Sequence, residues 1–165
     1  MRTVLAGAAL ALVLAAPASA QATELIGDNG FESSTAGFEP FSPLDGSGAL
    51  GESELRVELR PYGRVMKTHF YGYGSGPRAS SLGVEGAVRV ERGRPVRVCA
   101  IAYFFLDREP RSACSTVRRG TETSVSLRLP TDGRRLDRVL YQLTNDGGTS
   151  SVALDDAHLL VSPLE

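Results

Sequence analysis

Apolar and polar side chains alternate along most of the chain after residue 20, and a period of two is typical of β-strands with one buried face. The alternating runs cover residues 54–60, 65–71, 88–91, 96–105, 125–129, 139–143 and 152–154. Turn sequences rich in Gly, Pro, Asp and Asn separate these runs, and no stretch beyond residue 20 shows a helical period. About eight short strands at this spacing predict an all-β protein, an antiparallel sandwich or barrel.

Residues 1–20 have the pattern of an export signal. A basic start at Met1–Arg2, an apolar run over 4–16 and the small residues of 17–20 match a signal peptide that is cleaved after Ala20. The alternative, a membrane anchor, needs a longer apolar run to cross about 30 Å of hydrocarbon. We therefore expect an exported protein, periplasmic or secreted, with no membrane span and one domain over residues 21–165.

The composition is that of an ordinary globular domain. Hydrophobic residues make up 42% of the chain and charged residues 22%, which is too apolar for a disordered protein. The formal net charge is −1, so the sequence does not suggest the basic surface that nucleic-acid binding requires. Nucleic acid is therefore not an expected partner.

The two cysteines are expected to form a disulfide. Cys99 lies in the run 96–105, and Cys114 lies in a segment, 113–117, that would return antiparallel after a turn at 107–110. An even number of cysteines in an exported protein favours a disulfide, which would stabilise the fold by roughly 3 kcal/mol. The alternatives are a metal-binding pair or a nucleophilic cysteine. The sequence does not favour them, because it has no CxxC motif and no clustered histidines.

The run 96–105 is apolar on both of its faces. One face carries Val96, Val98, Ala100, Ala102 and Phe104, and the other carries Cys99, Ile101, Tyr103 and Phe105. Two interpretations remain open. Either this is a central strand covered by a loop, or Tyr103 and Phe105 line a groove that receives a ligand.

An offset in the last alternating run predicts a β-bulge at Asp155–Asp156. Val152 and Leu154 have one parity, whereas the next apolar set, which begins at Ala157, has the other. A bulge would turn one carboxylate inward, where it needs a cation or several hydrogen-bond donors. The alternative is a pair of solvated acids at the end of a strand.

Three segments carry a resemblance when they are taken in order: 24–32 (ELIGDNGFE), 88–98 (VRVERGRPVRV) and 152–159 (VALDDAHL). They resemble the opening strand, the Gly turn before a long central strand, and the closing strand with its double Asp of carbohydrate-binding modules of families four, nine and twenty-two. Those modules are galactose-binding-like jelly rolls. The resemblance implies an antiparallel jelly-roll β-sandwich whose first and last strands lie side by side.

The same resemblance implies a structural calcium ion, which acids from both ends of the domain commonly help to hold in that family. The matching residues here are Glu32 and Asp155 or Asp156, with backbone carbonyls as further ligands. Carboxylate oxygens suit calcium, whereas zinc prefers thiolates and imidazoles. The alternative is that Glu32 pairs with an arginine.

Sugar sites of this family usually depend on aromatic rings, often Trp, and this chain contains no Trp. Phe38 replaces the Trp expected after the opening Phe-Glu and is expected in the core. Strand parity puts Lys67, His69 and Tyr71 on one face, which we expect to point outward. The alternatives are exposed or loop-covered residues without a ligand, or rings that stack on one another within the Gly-rich segment 70–74. The candidate ligand-binding residues are Lys67, His69, Tyr71, Tyr73, Tyr103 and Phe105.

The sequence therefore predicts an exported, non-catalytic protein that binds a polysaccharide or a cell-envelope glycan. It contains no Gly-x-Ser-x-Gly, His-Glu-x-x-His or phosphate-loop motif. One alternative is a structural or protein-interaction domain that has kept the scaffold without the sugar site, and the missing Trp favours it. The other is a small polysaccharide lyase or hydrolase, whose base would be Lys67, His69 or Tyr71.

Overall fold

The structure is a computed structural model that describes residues 21–164. The predicted signal peptide, residues 1–20, lies outside the described residues. Within the described part of the chain, no helix is long and apolar enough to cross a membrane. The strands are β1 (Thr23–Glu24), β2 (Phe38–Pro40), β3 (Gly46–Leu50), β4 (Leu55–Leu59), β5 (Arg64–Phe70), β6 (Ala79–Gly93), β7 (Val96–Phe104), β8 (Arg111–Val117), β9 (Thr123–Pro130), β10 (Leu136–Asn145) and β11 (Ser150–Pro163).

The strands form two antiparallel sheets that pack face to face. The six-stranded sheet has the order β3-β4-β11-β6-β9, and β1 also pairs with β11. The five-stranded sheet has the order β2-β5-β10-β7-β8. This arrangement confirms the predicted all-β jelly-roll sandwich.

The core lies between the two sheets and is built by the alternation that the sequence shows. In β4 the apolar Leu55, Val57 and Leu59 are buried, and the charged residues between them are exposed. Phe38 is buried as expected, and its ring meets that of Tyr141 edge to face at 5.2 Å between centroids. The two sheets therefore use one apolar face each, which is the packing expected of a sandwich.

Both ends of the domain meet on β11. Thr23 and Glu24 of β1 pair with Val161 and Leu160, which confirms that the first and last strands lie side by side. The register of β11 against β6 shifts between Asp155 and His158, which confirms the predicted bulge. Asp156 has a φ of 47°, and its carboxylate is exposed at this bulge.

The predicted disulfide is also confirmed. Cys99 of β7 lies directly opposite Cys114 of β8, and the two sulfurs are bonded. The bond closes a loop at a sequence separation of 15 residues at the edge of the five-stranded sheet.

Candidate ligand-binding groove

The outer face of the five-stranded sheet carries a groove that we call the sheet groove. It has a volume of about 350 Å³ and lies across β5, β10 and the end of β7. Its lining consists of Phe41, Arg64, Met66, Thr68, Phe70, Tyr103, Arg138, Leu140 and Gln142. Strand pairing explains this set, because Phe70 and Tyr103 both lie opposite Arg138, and Met66 lies opposite Gln142.

Aromatic rings are exposed along the sheet groove. Phe41 is 62% exposed and Phe70 is 65% exposed, although both are large apolar side chains. Thr68 and Gln142 place a hydroxyl and an amide in the same lining. Flat apolar rings beside a few polar groups are typical of small-molecule sites, in which the rings supply contact area and the polar groups fix orientation.

Two guanidinium groups stack on these rings. The Arg138 guanidinium carbon lies 3.8 Å from the centre of the Tyr103 ring and 5.4 Å from that of Phe70. The Arg64 guanidinium carbon lies 4.0 Å from the centre of the Phe41 ring. A guanidinium that lies over an aromatic ring is attracted to the ring face and still has terminal N–H groups at its edge that can bind a ligand.

Of the six residues predicted to bind a ligand, Tyr103 lines the sheet groove. Strand parity correctly places three of the others on one side, namely Lys67, His69 and Tyr71. The prediction that this side faces outward is wrong, because it is the core side of β5. Lys67 lies opposite the fully buried Tyr141, and His69 lies opposite the fully buried Val139, so both begin on the core side of β5. The outward residues of β5 are Arg64, Met66, Thr68 and Phe70.

Lys67 nevertheless reaches the rim of the groove. It passes the exposed Gly37, where a Cβ would lie 2.7 Å from the lysine Nζ. Its side chain lines a recess of about 430 Å³ that also contains Glu39 and shares Phe41 and Phe70 with the sheet groove. Lys67 is therefore close to the candidate site, although its strand position faces the core.

His69 and Tyr71 contact each other at the end of the sandwich. Their rings meet edge to face at 4.6 Å between centroids. Burial, and then the charge of Lys67, lower the pKa of His69, and burial raises the pKa of Tyr71. Tyr71 packs against the core, so the structure gives it a packing role.

Tyr73 and Phe105 lie away from the sheet groove, in the loops that follow β5 and β7. Their rings meet edge to face at 4.8 Å between centroids, and Tyr73 is 86% exposed. Phe105 lines a separate cavity of about 570 Å³ together with Arg78, Arg134 and Arg135. That cavity is larger, but each of its arginines already has a protein partner: Asp107 for Arg134, and backbone carbonyls for the other two.

The acids expected to hold calcium do not belong to a larger cluster of metal-ligating side chains. Within residues 21–164, no set of three or more His, Cys, Asp or Glu side chains is placed to hold a metal ion. Glu32 also forms no ion pair with an arginine of the described chain. The structure therefore does not support the other interpretation of Glu32, in which it pairs with an arginine. These carboxylates do not form a metal site by themselves, and calcium at this end stays a prediction.

A histidine occupies the place where the two ends of the domain meet. The His158 ring lies 2.7 Å from Glu24 Oε2 through Nδ1 and 3.2 Å from Asp156 Oδ1 through Nε2. The other Glu24 oxygen accepts hydrogen bonds from the backbone N–H groups of residues 25, 26 and 159. Burial opposes protonation of His158, but the hydrogen bond and charge of Glu24, with the charge of Asp156, raise the pKa of the ring overall.

A neighbouring acid is satisfied by backbone groups. The Asp28 carboxylate accepts hydrogen bonds from the backbone N–H groups of residues 32, 33 and 34 and from the hydroxyls of Ser33 and Ser34. These bonds, with that of the Ser33 backbone first, lower the pKa of Asp28 to about 2. Asp28 therefore shapes the loop after β1.

Sequence reasoning missed most of the sheet groove, namely Phe41, Arg64, Met66, Thr68, Phe70, Arg138, Leu140 and Gln142. The alternation of β5 is present in the sequence, but an outward direction for Lys67, His69 and Tyr71 would turn Met66 and Phe70 toward the core, which is the reverse of the structure. Apolar residues that are exposed together in one patch are typical of an interaction or ligand-binding surface. Phe41 and Arg138 belong to other strands and loops, so only the three-dimensional pairing brings them to β5.

No protein-family model matches this sequence, and no curated protein matches it. Solved structures do match its fold. The CBM22-1 xylan-binding domain from Paenibacillus barcinonensis Xyn10C superposes with a TM-score of 0.62 at 12% identity, over 90% of this chain and 100% of that domain. The C-terminal family 22 carbohydrate-binding module of Clostridium thermocellum Xyn10B gives 0.60 at 13% identity, over 88% and 95% of the two chains.

A third similar structure is TmCBM61 in complex with β-1,4-galactotriose, with a TM-score of 0.53 at 13% identity, over 83% of this chain and 97% of that one. At these identities the likeness establishes the fold. The chain thus has the jelly-roll fold of carbohydrate-binding modules along most of its length.

Proposed function

We propose that this protein is an exported, non-catalytic carbohydrate-binding protein and that its glycan binds in the sheet groove. The observation that carries the proposal is the pair of exposed rings, Phe41 and Phe70, beside polar Thr68 and Gln142 on the outer face of one sheet. A sugar ring has apolar C–H faces and polar hydroxyls at its edge, so aromatic faces with nearby polar groups are complementary to it.

The fold supports the same proposal. The solved structures that share it include a xylan-binding domain and a module in complex with a galactotriose. The disulfide between Cys99 and Cys114 supports export, because such bonds persist in oxidising compartments. Tyr103 contributes from β7 by holding the Arg138 guanidinium at the groove.

The first test is a binding screen of the purified protein against a broad panel of soluble polysaccharides and glycans, followed by calorimetry on each hit. Phe41→Ala and Phe70→Ala are the test variants, since both side chains are mostly exposed and their loss should leave the fold intact. We expect the double variant to bind at least about tenfold more weakly, or about 1.4 kcal/mol.

The matched control is Tyr73→Ala, which removes an exposed ring that lies outside the sheet groove. We expect its affinity to equal that of the natural protein. Silence across the panel from folded protein would contradict the proposal and favour a protein-interaction domain. Release of reducing ends or unsaturated products from a polysaccharide would instead favour the lyase or hydrolase alternative.

A further inference from the structure

The arginines on the two outer faces of the sandwich differ in their partners. On the six-stranded sheet, Arg56 and Arg89 pair with Glu54 at 3.0 Å, and Arg89 also pairs with Glu91 at 3.2 Å. Arg92 pairs with Glu58 at 3.2 Å on the same sheet. These arginines and glutamates neutralise each other, while Arg128 of β9 donates a hydrogen bond to the Ser81 hydroxyl.

The outer face of the five-stranded sheet carries three arginines outside the ion pairs of the described residues. Arg64, Arg97 and Arg138 project from β5, β7 and β10. Within residues 21–164, none of these three forms an ion pair. Lys67 at the rim of the groove adds a fourth cation.

Three acids lie close to these cations in the structure or along the chain, and one of them is Asp137, which precedes Arg138 in β10. Glu39 is exposed on β2 and lines the adjoining recess. Asp45 accepts the backbone N–H of Arg64, and a hydrogen bond from Ser42, followed by the N–H and the charge of Arg64, lowers its pKa. The basic side chains outnumber these acids, although the whole chain has a formal net charge of −1.

Arg138 is the best placed of the cations. Its Nε is buried and has no hydrogen-bond partner in the described chain, while its guanidinium lies on the Tyr103 ring at 3.8 Å. The Nε is out of reach of water and of a ligand, so a ligand oxygen in the groove would accept from the terminal Nη groups of Arg138. Arg64 is held in a comparable way on Phe41 at the other end of the groove.

A guanidinium presents several N–H groups in one plane and binds carboxylates and similar oxyanions through two parallel hydrogen bonds. Two guanidinium groups fixed at one groove therefore match a ligand with repeated negative charges. Aromatic rings beside them match its sugar rings. A positive groove on a negative protein also draws an anionic chain toward this face.

We infer that the ligand of the sheet groove is an acidic polysaccharide, whose carboxylate or sulfate groups bind Arg138 and Arg64. This inference rests on the proposed function, because it specifies the class of glycan at the same site. Carboxylates and sulfates share the oxyanion chemistry that the arginines recognise, so the experiment separates these two sources of charge.

The test uses two pairs of polymers that differ in charge and share a backbone. Polygalacturonate is compared with its fully methyl-esterified form, and dextran sulfate is compared with dextran. We expect one of the charged polymers to bind the purified protein at least about tenfold more tightly than its uncharged partner, with affinity that falls as salt rises. The pair that shows the difference identifies carboxylate or sulfate as the recognised group.

The variants test whether the groove makes this distinction. Arg138→Gln and Arg64→Gln should each weaken binding of the charged polymer about tenfold or more, since hydrogen bonds to charged groups are among the stronger ones. Arg138→Lys keeps the charge without the paired donors and should recover only part of the affinity. The matched control is Arg92→Gln, which removes an exposed arginine from the other sheet and should leave affinity unchanged.

Three results would overturn the inference, and they have different meanings. Equal binding to the charged and uncharged polymers would leave a carbohydrate-binding groove with no preference for acids. An equal loss of affinity in Arg92→Gln and Arg138→Gln would show attraction by general surface charge. An absence of binding to any glycan of the panel, from folded protein, would remove the proposed function and this inference together.

Discussion

The buried hydroxyl of Tyr141 is expected to destabilise the fold. Tyr141 lies on β10 between the sheets with none of its surface exposed, and its Oη has no hydrogen-bond partner within residues 21–164. Burial therefore raises the pKa of this phenol above its ordinary value of 10.0. A buried polar group without a partner costs about 1–3 kcal/mol in lost hydration.

Tyr141→Phe removes the hydroxyl and keeps the ring that packs on Phe38. We expect the free energy of unfolding to rise by about 1 kcal/mol, measured by urea denaturation, and Tm to rise by about 2–5 °C. The control is Tyr62→Phe, whose ring is 74% exposed and whose change should stay within about 0.5 kcal/mol. A loss of 1 kcal/mol or more in Tyr141→Phe would refute the reasoning, because it would show that the hydroxyl is hydrogen bonded.

A second substitution tests how closely the Tyr141 hydroxyl approaches Gly86 of the opposite sheet. A Cβ added to Gly86 of β6 would lie 2.8 Å from Tyr141 Oη and 3.3 Å from the backbone oxygen of Asp155. Gly86→Ala should therefore cost about 1–3 kcal/mol by overpacking in the natural chain. In the Tyr141→Phe background Gly86→Ala should lower the free energy of unfolding by about 1 kcal/mol less than in the natural chain. Strictly additive effects in this double-mutant cycle would contradict the close approach of the Tyr141 hydroxyl to Gly86.

Three further predictions concern the ends of the domain and the disulfide. Because Glu24 and Asp156 raise the pKa of His158, the stability that this ring contributes is present below its ordinary value of 6.5 and is lost as pH rises through the raised value. His158→Gln should flatten this dependence in urea denaturation measured from pH 5 to 9, and an unchanged profile would contradict it. Cys99→Ser with Cys114→Ser should lower the free energy of unfolding by roughly 3 kcal/mol for this loop of 15 residues, and a loss below about 1 kcal/mol would contradict the loop-closure estimate. If Glu32 and Asp155 or Asp156 hold calcium together with backbone carbonyls, as the sequence resemblance implies, chelator should lower Tm, and an unchanged Tm would refute that site.

The features that could be predicted from the sequence depend on local patterns. The bulge at Asp155–Asp156 follows from a change of parity within one strand, and the disulfide follows from two runs joined by a short turn. The burial of Phe38 follows from the family resemblance, in which a Trp comes after the opening segment. The first two patterns lie within a single strand or hairpin of the sequence, and the third comes from the family resemblance.

The direction of β5 could not be predicted in the same way. Val65 is buried and fixes the parity of the strand, but the more apolar set by composition, Met66 and Phe70, points away from the core. Lys67 follows Val65 on the core side of β5. Its side chain reaches solvent past Gly37, because this glycine has no side chain to block the lysine. The position of Lys67 on the core side therefore depends on a contact with a loop some thirty residues earlier. The periodicity of β5 gives no information about that contact.

The two outer faces of the sandwich show why the groove belongs to the five-stranded sheet. On the six-stranded sheet Arg89 and Arg92 of β6 pair with Glu54 and Glu58 across β11, so their charge is neutralised within the protein. On the five-stranded sheet the positions opposite Arg138 hold Phe70 and Tyr103, and rings replace acids as the neighbours of the guanidinium. An acid there would pair with Arg138 and neutralise it, whereas a ring holds its plane and leaves its charge without a partner. The residues at a few cross-strand positions therefore distinguish the two faces. The charges of the six-stranded sheet pair within the protein, whereas the five-stranded sheet is suited to a charged ligand.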